Sequence, residues 1–432
     1  MSEPDAGEAT ARIARDLIRF DTTNYGGGRS NGERDAAHYL EAELTRIGLS
    51  PQLFEAAPGR VSVVARVPGR DGARPGLVLH GHTDVVPADD RAWSMDPFAG
   101  EIRDGMLWGR GAVDMKDMDA MILTALGELL AAGELPAREV IVAFFADEED
   151  GGAYGSHHLV EHHPELFRGA TEAVSEVGGY SIDVDGTRAY LLQTGEKALV
   201  WLRLVARGGA AHGSRLFRDN AVTKLARAVA RLGDEVWPVH LTDTTRAQLA
   251  QLADLMEIGA ADPDALIART GTAAGFLQAG IHVTSNPTVL QAGYKHNVIP
   301  DRAEALIDVR PFPGQEEQVI ARIQEIVAPD AEVEVLRSDI GLEAPRQGQI
   351  VERMIAALHR HDPGAPVLPY LMSGGTDNKA LASLGIAGYG FAPLQLPAGM
   401  DFPGMFHGVD ERVPLDALVF GRAVLVDFLR DC

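Results

Sequence analysis

Short apolar runs alternate with longer stretches of helical periodicity through the first part of the chain. Apolar residues recur at helical spacing in 8–20, 33–47 and 115–132. Separate β-rich runs occur at 61–67, 77–80, 139–145 and 172–175. Strands that alternate with helices are typical of βαβ units. The pattern therefore predicts an α/β fold, in which helices flank a mixed, largely parallel sheet on both faces.

A second unit interrupts this pattern near Gly195. The sequence there predicts strand, helix, two strands, helix and strand in turn, at 197–207, 219–233, 284–292, 303–309, 315–327 and 332–337. This β-α-β-β-α-β order is ferredoxin-like, and a helical insert rich in Ala and Asp lies within it at about 238–280. The α/β pattern returns after about 340 and ends in an apolar helix at 414–430. We expect a discontinuous main domain, 1–195 and 339–432, with a smaller domain, 196–338, inserted in it.

The composition limits the classes of partner. The formal net charge is -23 over 432 residues, whereas phosphate binding needs clustered Lys and Arg, so nucleic acids and anionic membranes are not expected partners. No apolar run approaches the roughly 18 residues that span a membrane. The first residues, MSEPDAGEAT, have neither the basic nor the apolar region of a secretory signal. Cys432 is the only cysteine, which excludes intrachain disulfides and makes a cytoplasmic location the expectation.

Potential metal ligands follow the predicted strands. Open α/β sheets bind ligands at the carboxyl ends of their strands. The side chains that follow strands are His82, Asp84, Glu148, Glu149 and Glu176. A tight glycine turn, WGRGAVD, places Asp114 at the start of the helix at 115, and His407 lies in a loop ahead of the last helix. Imidazole and carboxylate ligands of this kind suit Zn²⁺, Mn²⁺ or Co²⁺.

The charge of this set favours two metal ions over one. If Asp114, Glu149 and Glu176 are ligands together with neutral His82 and His407, three negative charges face two divalent ions. A bound hydroxide then brings the site to neutrality. With one ion, excess negative charge would remain in a partly buried cleft, which is unfavourable. Two ions roughly 3.5–4 Å apart, bridged by one carboxylate, fit better. Zinc is the expected metal, with manganese or cobalt as alternatives.

Spacing distinguishes the roles of neighbouring residues. His82 and Asp84 are two positions apart, so in extended backbone they point to the same side. A carboxylate at 84 could accept from the second ring nitrogen of His82 and fix its orientation. Glu148 and Glu149 are adjacent and cannot do the same work. One could bind metal while the other acts as a general base.

Each feature also has a purely structural explanation. An Asp-Glu-Glu-Asp run is usually a solvated turn, WGRGAVD could be only a turn and helix cap, and His407 could be a surface histidine. The histidine-rich stretch after the acidic turn, with His157, His158, His162 and His163, is predicted to be a surface helix. The convergence of separate elements on one edge favours a metal site. The sequence has no HExxH, GxSxG, GxxxxGK[ST] or post-strand GxGxxG motif.

Nine segments resemble, in family order, the motifs of the M20 family of metallopeptidases, which includes glutamate carboxypeptidase, succinyl-diaminopimelate desuccinylase and aminoacylase. They are GHTDVVP, WGRGAVDMK, ADEEDGG, SEVGG, AAHGS, HNVIP, IDVRPFPG, SGGTD and FHGVDE. The resemblance extends from about residue 8 to 430. It implies a catalytic zinc-peptidase domain and two metal sites that share Asp114, the first completed by His82 and Glu176 and the second by Glu149 and His407.

The same resemblance implies the remaining catalytic roles. Asp84 would orient His82, and Glu148 would be the general base. The peptide bond between Asp114 and Met115 would be cis, an unusual conformation that members of the family share.

The inserted domain resembles a lid that commonly forms a homodimer in this family. His212 matches a histidine that reaches the active site, often from the partner subunit, and hydrogen-bonds the oxyanion. Asn297 and Arg310 match groups that bind the substrate carboxylate, and the guanidinium fork of an arginine suits that task. The loop Gly374, Gly375 and Thr376 matches one that lies beside the substrate. Without the resemblance, a turn histidine and a surface ion pair would explain His212 and Arg310.

The resemblance implies hydrolysis of an amide or peptide bond next to a free carboxylate, by a metal-bridging hydroxide. The enzyme would be a carboxypeptidase, a dipeptidase or an N-acyl-amino-acid deacylase. The segment LLQTGEKALVWLRLVARGGAAHGS and the insert look closest to the carboxypeptidase S and N-acyl-amino-acid hydrolase branch. Ser175 and Val177 flank Glu176 where that branch more often has Asn and Gly, which removes no ligand. The alternatives are a two-metal aminopeptidase and a non-catalytic metal-binding relative.

Overall fold

The computed structural model describes residues 6–259 and 262–432. Residues 1–5, part of the segment that argues against a secretory signal, lie outside the described residues, as do 260 and 261 of the predicted insert.

The described chain forms strands and α-helices joined by loops and short 3-10 turns. The strands are β1 (Asn24–Gly26), β2 (Arg29–Ser30), β3 (Gln52–Ala57), β4 (Arg60–Val67), β5 (Gly76–His82), β6 (Glu101–Arg103), β7 (Met106–Trp108), β8 (Val140–Phe145), β9 (Ala170–Ser175), β10 (Ser181–Val184), β11 (Thr187–Glu196), β12 (Leu199–Arg207), β13 (Ala211–His212), β14 (Thr284–Ala292), β15 (Val298–Ile299), β16 (Arg302–Arg310), β17 (Glu332–Asp339), β18 (Leu342–Glu343), β19 (Val367–Met372), β20 (Ala387–Gly390) and β21 (Arg412–Pro414). The helices are α1 (Ala6–Ile18), α2 (Arg34–Arg46), α3 (Lys116–Ala131), α4 (Ser156–His162), α5 (Ala221–Gly233), α6 (Asp243–Leu255), α7 (Pro263–Ile267), α8 (Ala274–Gln278), α9 (Glu316–Val327), α10 (Gln349–His361), α11 (Asn378–Ala382) and α12 (Leu415–Asp431).

The large sheet is mixed, with a parallel centre. Strand β5 pairs in parallel with β8 and β9, and β9 pairs in parallel with β20. Antiparallel β4 and β3 follow β8 on one side, and β11 and β10 lie beyond β20 on the other. The fold confirms the predicted α/β class, because helices cover both faces of this sheet.

Strand β8 shows why its sequence is apolar throughout. All six residues of VIVAFF are buried, and successive side chains of a strand point to opposite faces. Val140, Val142 and Phe144 join the core that includes α1, α3 and α12. Ile141, Ala143 and Phe145 join a second core, which includes apolar side chains of α4 and α11.

The second sheet has four antiparallel strands in the order β14-β16-β12-β17. With α5 and α9 between them in sequence, these strands form the predicted ferredoxin-like unit. Alternate residues of β12 (Val200, Leu202, Leu204 and Ala206) enter the core beneath these helices. The intervening residues therefore face the other side of the sheet.

The helical insert packs on the large domain rather than on the small sheet. Leu249 and Leu252 of α6, Ile267 of α7 and Leu277 of α8 belong to the core of the large sheet, and α6 lies against β19. The chain changes sheets between Glu196 and Leu199 and returns between Asp339 and Leu342. The division into 1–195 with 339–432 and 196–338 stays a prediction.

None of the described helices is both long enough and apolar enough to cross a membrane. The cytoplasmic location expected from cysteine usage stays a prediction.

Candidate metal centre

The carboxyl ends of the central parallel strands carry the candidate ligands. His82 is the last residue of β5, Glu176 follows β9, and Glu148 and Glu149 begin the 3-10 turn that follows β8. Because β5 runs parallel to both neighbours, these side chains meet at one edge of the sheet. The structure thus brings together residues that are up to 94 positions apart (176 − 82) in the sequence.

The first ligand group is His82, Asp114 and Glu176. His82 Nε2 lies 3.1 Å from Asp114 Oδ1 and 3.5 Å from Glu176 Oε1. One ligand atom from each residue lies within 4.8 Å of the others, a spacing that could hold a metal ion. His82 and Glu176 are buried.

The second ligand group is Asp114, Glu149 and His407. His407 Nε2 lies 3.2 Å from Asp114 Oδ2 and 3.1 Å from Glu149 Oε2. Asp114 belongs to both groups and presents one oxygen to each. Both groups consist of the residues that the resemblance implies, and their binding of metal stays a prediction. The Asp114–Met115 peptide bond is cis.

An ion pair that sequence analysis missed positions Asp114. Glu411 Oε1 accepts hydrogen bonds from the backbone N–H groups of Val113, at 2.6 Å, and Asp114, at 3.0 Å. Its Oε2 accepts from Arg110 Nη1 at 2.8 Å. Arg110 also donates to the carbonyl of Gly408, at 2.9 Å. The pair therefore ties the turn before α3 to the loop that carries His407. Glu411 lies in the motif FHGVDE, but nothing local distinguishes it from a surface acid.

Asp84 supports the acidic turn more directly than it supports His82. Its Oδ1 accepts from the backbone N–H of Glu148 at 3.0 Å, and its Oδ2 accepts from that of Glu149 at 3.1 Å. His82 Nδ1 lies 3.0 Å from the Asp84 main-chain carbonyl and 3.5 Å from Oδ1. The nearer acceptor for the histidine is thus the main chain, while the carboxylate holds the two consecutive amides.

Glu148 stands beside the ligand groups but belongs to neither. Its Oε2 lies 3.9 Å from His82 Nε2, and its side chain lines the adjoining cavity. Burial, and then the negative charges of Glu176, Asp377 and Glu149, raise the pKa of Glu148 well above its usual value, against the effect of His82. A carboxylate in this environment holds a proton more readily than an exposed one. The role of Glu148 as general base stays a prediction.

The electrostatics of the cluster fit bound cations. Burial, and then Asp114, raise the pKa of Glu176 to about 8. The pKa of His407 rises to about 11 although burial lowers it, because Asp114 and Glu149 accept from the ring. Within residues 6–259 and 262–432, the buried Glu149 Oε1 has no hydrogen-bond partner. Three largely buried carboxylates, one with an unsatisfied oxygen, favour compensating positive charge, which two divalent ions would supply.

A cavity of about 230 Å³ adjoins this cluster, between the two sheets. Predicted substrate residues Arg310, Gly374, Gly375 and Thr376 all line it. Its apolar wall contains Val177, Leu199, Trp201, Phe276, Met372 and Phe406. His157, predicted to lie on the surface, also lines the cavity and is half-buried.

Asp308, a residue of the same strand, orients the side chain of Arg310. Asp308 accepts from Arg310 Nε at 2.6 Å and from Nη2 at 2.9 Å, and also from Trp201 Nε1 at 3.1 Å. The strand register places Trp201 directly opposite Asp308. Asp308 thus occupies the Nε and Nη2 edge of the guanidinium. Within the part of the chain that the structure describes, Nη1 has no hydrogen-bond partner, so it can bind a ligand in the cavity.

A buried carboxylate at the end of β11 holds the loop of Gly374, Gly375 and Thr376 in place. Glu196 accepts from Thr376 Oγ1 at 2.6 Å and from Thr376 N–H at 3.0 Å. Asn378 Nδ2 donates to it as well, at 3.2 Å. Sequence analysis missed Glu196, which lies at the crossing between the sheets.

Two predicted residues do not join the cavity of their own chain. His212 in β13 and Asn297 beside β15 are both exposed and do not line the cavity. The two strands pair with each other, and Gly213 N–H donates to the Asn297 carbonyl at 2.9 Å. They form one surface patch on the small domain.

A sheet edge that gathers histidines and carboxylates beside a cavity is the architecture of an α/β metallohydrolase. Sequence comparison identifies the family. Residues 78–431 match the family model of peptidase family M20/M25/M40, and the chain belongs to this family. It is a hydrolytic enzyme, and the amide bond is the class of bond its family cleaves.

Curated relatives match over most of their length. Aminoacylase-1 of Sus scrofa is 26% identical over an alignment of 414 positions that covers 90% of this chain and 87% of that protein. The N-fatty-acyl-amino acid synthase/hydrolase PM20D1 of Xenopus tropicalis is 27% identical over an alignment of 423 positions that covers 93% of this chain and 81% of that protein.

Solved structures share the fold at lower identity. The M20 family metallo-carboxypeptidase Sso-CP2 from Sulfolobus solfataricus superposes with a TM-score of 0.77 at 19% identity, covering 100% of this chain and 99% of that one. Human carnosine dipeptidase 1 superposes with a TM-score of 0.71 at 14% identity, covering 98% and 96%.

Proposed function

We propose that the protein is a two-metal amidohydrolase that cleaves N-acyl amino acids or small peptides next to a free carboxylate. The observation that carries the proposal is the pairing, in one cavity, of Glu148 beside two ligand groups with the open guanidinium edge of Arg310. The names of the relatives, which include aminoacylases, a carboxypeptidase and a dipeptidase, fit such substrates.

The metal ligands follow from the two groups that share Asp114. His82, Asp114 and Glu176 would hold one ion, and Asp114, Glu149 and His407 the other. Zinc is the expected metal, because mixed imidazole and carboxylate ligands suit it, and manganese or cobalt are the alternatives. Bound there, the ions supply charge that polarises the scissile carbonyl and lowers the pKa of the attacking water.

Glu148 transfers the proton during hydrolysis. Its carboxylate takes a proton from the attacking water and delivers it to the leaving nitrogen. Asp84 keeps this turn in place by accepting the amides of Glu148 and Glu149. Burial in the cavity excludes bulk water, which strengthens each of these interactions.

Arg310 and the glycine loop bind the substrate carboxylate. Nη1 of Arg310 can form a charge-assisted hydrogen bond with that carboxylate, while Asp308 fixes the orientation of the guanidinium group. The loop from Gly374 to Thr376, which Glu196 holds in place, lines the same cavity as Arg310. Because Arg310 and this loop bind a carboxylate, we expect the enzyme to require a substrate with a free carboxylate group.

The function would also use a second copy of the chain. His212 and Asn297 are exposed on the small domain, near an edge strand, β14, whose outer residues are exposed. Leu290 and Tyr294 are exposed apolar side chains in the same region. A homodimer through this surface would cover them and bring His212 to the partner's oxyanion.

The test compares Glu148→Gln with Glu149→Gln. Metal-stripped protein receives zinc, manganese or cobalt and is assayed on N-acetyl amino acids, the matching free dipeptides and their C-amidated forms. Wild type should cleave only substrates with a free carboxylate. Glu148→Gln should lose turnover with two metals retained, and Glu149→Gln should lose metal.

Other outcomes would point elsewhere. Cleavage of C-amidated dipeptides together with rejection of N-acetyl substrates would favour an aminopeptidase. Absence of cleavage with two metals bound would favour the non-catalytic alternative. A Glu148→Gln variant that lost its metal would contradict the assignment of the base.

A further inference from the structure

A buried ionic cluster supports the acidic turn from outside the cavity lining. The Arg60 cluster consists of Asn24, Glu33, Arg60, Asp84 and Asp147. Every member is at most 4% exposed, and none lines the cavity. Neither the ligand groups nor the proton transfer described above uses Arg60.

Arg60 contacts three carboxylates through one nitrogen. Its Nη2 lies 2.6 Å from Asp147 Oδ1, 2.9 Å from Glu33 Oε1 and 3.9 Å from Asp84 Oδ2. Asn24 Nδ2 donates to Asp84 Oδ2 at 2.9 Å and to Asp147 Oδ1 at 3.1 Å. A neutral amide and a cation thus hold the same two aspartates together.

These two aspartates hold the turn at both ends. Asp84 accepts the amides of Glu148 and Glu149, at 3.0 and 3.1 Å. Asp147 Oδ2 accepts from the amide of Tyr154 at 2.8 Å. Asp147 has a φ of 67°, a left-handed conformation that is uncommon for residues other than glycine but that Asp adopts more often than most.

The charge balance makes Arg60 necessary to this arrangement. Burial, and then Asp84, raise the pKa of Glu33 to about 8. Arg60 is the cation that contacts all three carboxylates of the cluster, and its shortest contact is with Asp147. Two buried carboxylates without a nearby cation would repel each other and favour water over the backbone amides. The turn would then relax, and the carboxylates of Glu148 and Glu149 would move.

We propose that Arg60 is a positioning residue, which acts through Asp84 and Asp147 to fix the turn that carries Glu148 and Glu149. The effect on turnover rests on the proposed function, because it assumes that Glu148 transfers the proton. The effect on metal binding does not require turnover. A purely structural arginine would instead change stability alone.

The variants separate charge from hydrogen bonding. Arg60→Met keeps the apolar stem and removes the cation, Arg60→Lys restores a cation, and Asn24→Ala removes the neutral bridge with the cation intact. Arg138→Met is the matched control. Arg138 is also buried and pairs with one carboxylate, Glu172, but it precedes β8, at the end opposite the acidic turn.

Three quantities are measured: kcat and KM on N-acetyl-methionine at saturating zinc, zinc affinity by chelator competition, and the melting temperature. Arg60→Met should lose about 100-fold in kcat, as a displacement of about 1 Å can cause, with KM within about threefold. Zinc should bind about 10-fold more weakly. Arg60→Lys should recover part of both losses, and Asn24→Ala should lose about 10-fold in kcat. Arg138→Met should lower only the melting temperature.

Wild-type kcat and zinc affinity in folded Arg60→Met would overturn the proposal. Equal losses in Arg138→Met would overturn it too, because they would show a global effect. If Arg60→Met does not fold, wild-type kcat and wild-type zinc affinity in both Arg60→Lys and Asn24→Ala would overturn the proposal. Wild-type protein without turnover would contradict the proposed function, while zinc affinity would still decide the role of Arg60.

Discussion

Glu411→Gln tests whether a buried ion pair holds the shared ligand Asp114. The carboxylate accepts two backbone amides, at 2.6 and 3.0 Å, and Arg110 Nη1, at 2.8 Å. Glutamine has nearly the same shape, but its amide nitrogen donates. If the oxygen stays on the amides of Val113 and Asp114, the side-chain nitrogen faces the guanidinium. Arg110 is then a buried cation without its carboxylate.

The magnitude follows from these contacts. Removal of one partner of a buried ion pair destabilises a fold by about 3–5 kcal/mol. Loss of the group that orients a metal ligand weakens metal binding roughly 10–100-fold. Both effects are expected at pH 8, where the wild-type carboxylate is ionised, because burial raises the pKa of Glu411 to about 7.

The assay combines urea unfolding of the metal-free protein with zinc affinity by chelator competition. Glu172→Gln is the control, since it removes the carboxylate partner of buried Arg138 away from the ligand groups. It should lower the free energy of unfolding and leave zinc affinity unchanged. Wild-type zinc affinity in folded Glu411→Gln would refute the reasoning, because Asp114 would then need no support from Glu411.

Three further outcomes are expected. Arg310→Lys should raise KM roughly 10–100-fold for substrates with a free carboxylate, because lysine lacks the fork; an unchanged KM would remove Arg310 from the substrate site. Phe276→Ala should raise KM about 10-fold for apolar N-acyl amino acids and leave KM for N-acetylglycine unchanged, because it removes apolar contact. Steady-state kinetics on both substrates measures this difference. Equal effects on the two KM values would show that the apolar wall does not bind the acyl group. Burial, and then Arg310, lower the pKa of Lys197 to about 7 from 10.5. Between these values the unfolded chain holds a proton that the folded chain lacks, so the free energy of unfolding rises with pH by roughly 4 kcal/mol. Lys197→Met should flatten this rise in urea titrations from pH 7 to pH 10, and a slope equal to wild type would contradict the assignment.

The sequence predicted most of the regular structure, because amphipathic periodicity is local. The helix expected at 115–132 is Lys116–Ala131, and the strand expected at 284–292 is Thr284–Ala292. Strands β11 and β19 were not predicted. Their apolar content gave no distinct alternation, and they pair with each other in parallel across more than 170 residues, a separation that no local pattern encodes.

The insert at about 238–280 shows a second limit. Its helical content was read correctly, and Asp243–Leu255 is a helix. Its partner was not evident, because an apolar face shows that a helix packs but not against which surface. Only the tertiary structure places Phe276 in the wall of the cavity, next to Phe406.

The sequence by itself determined which side chains could be ligands, because residues that follow parallel strands must meet at one edge of the sheet. It also supplied the motifs by which the family was anticipated, and sequence comparison confirmed that family. The tertiary structure decided how the acids divide their work. Glu411 reaches Val113 across 298 positions and Arg60 reaches Asp147 across 87, and in the sequence both resemble ordinary surface charges. Their roles depend on burial and on contacts through space, which form only when the chain has folded.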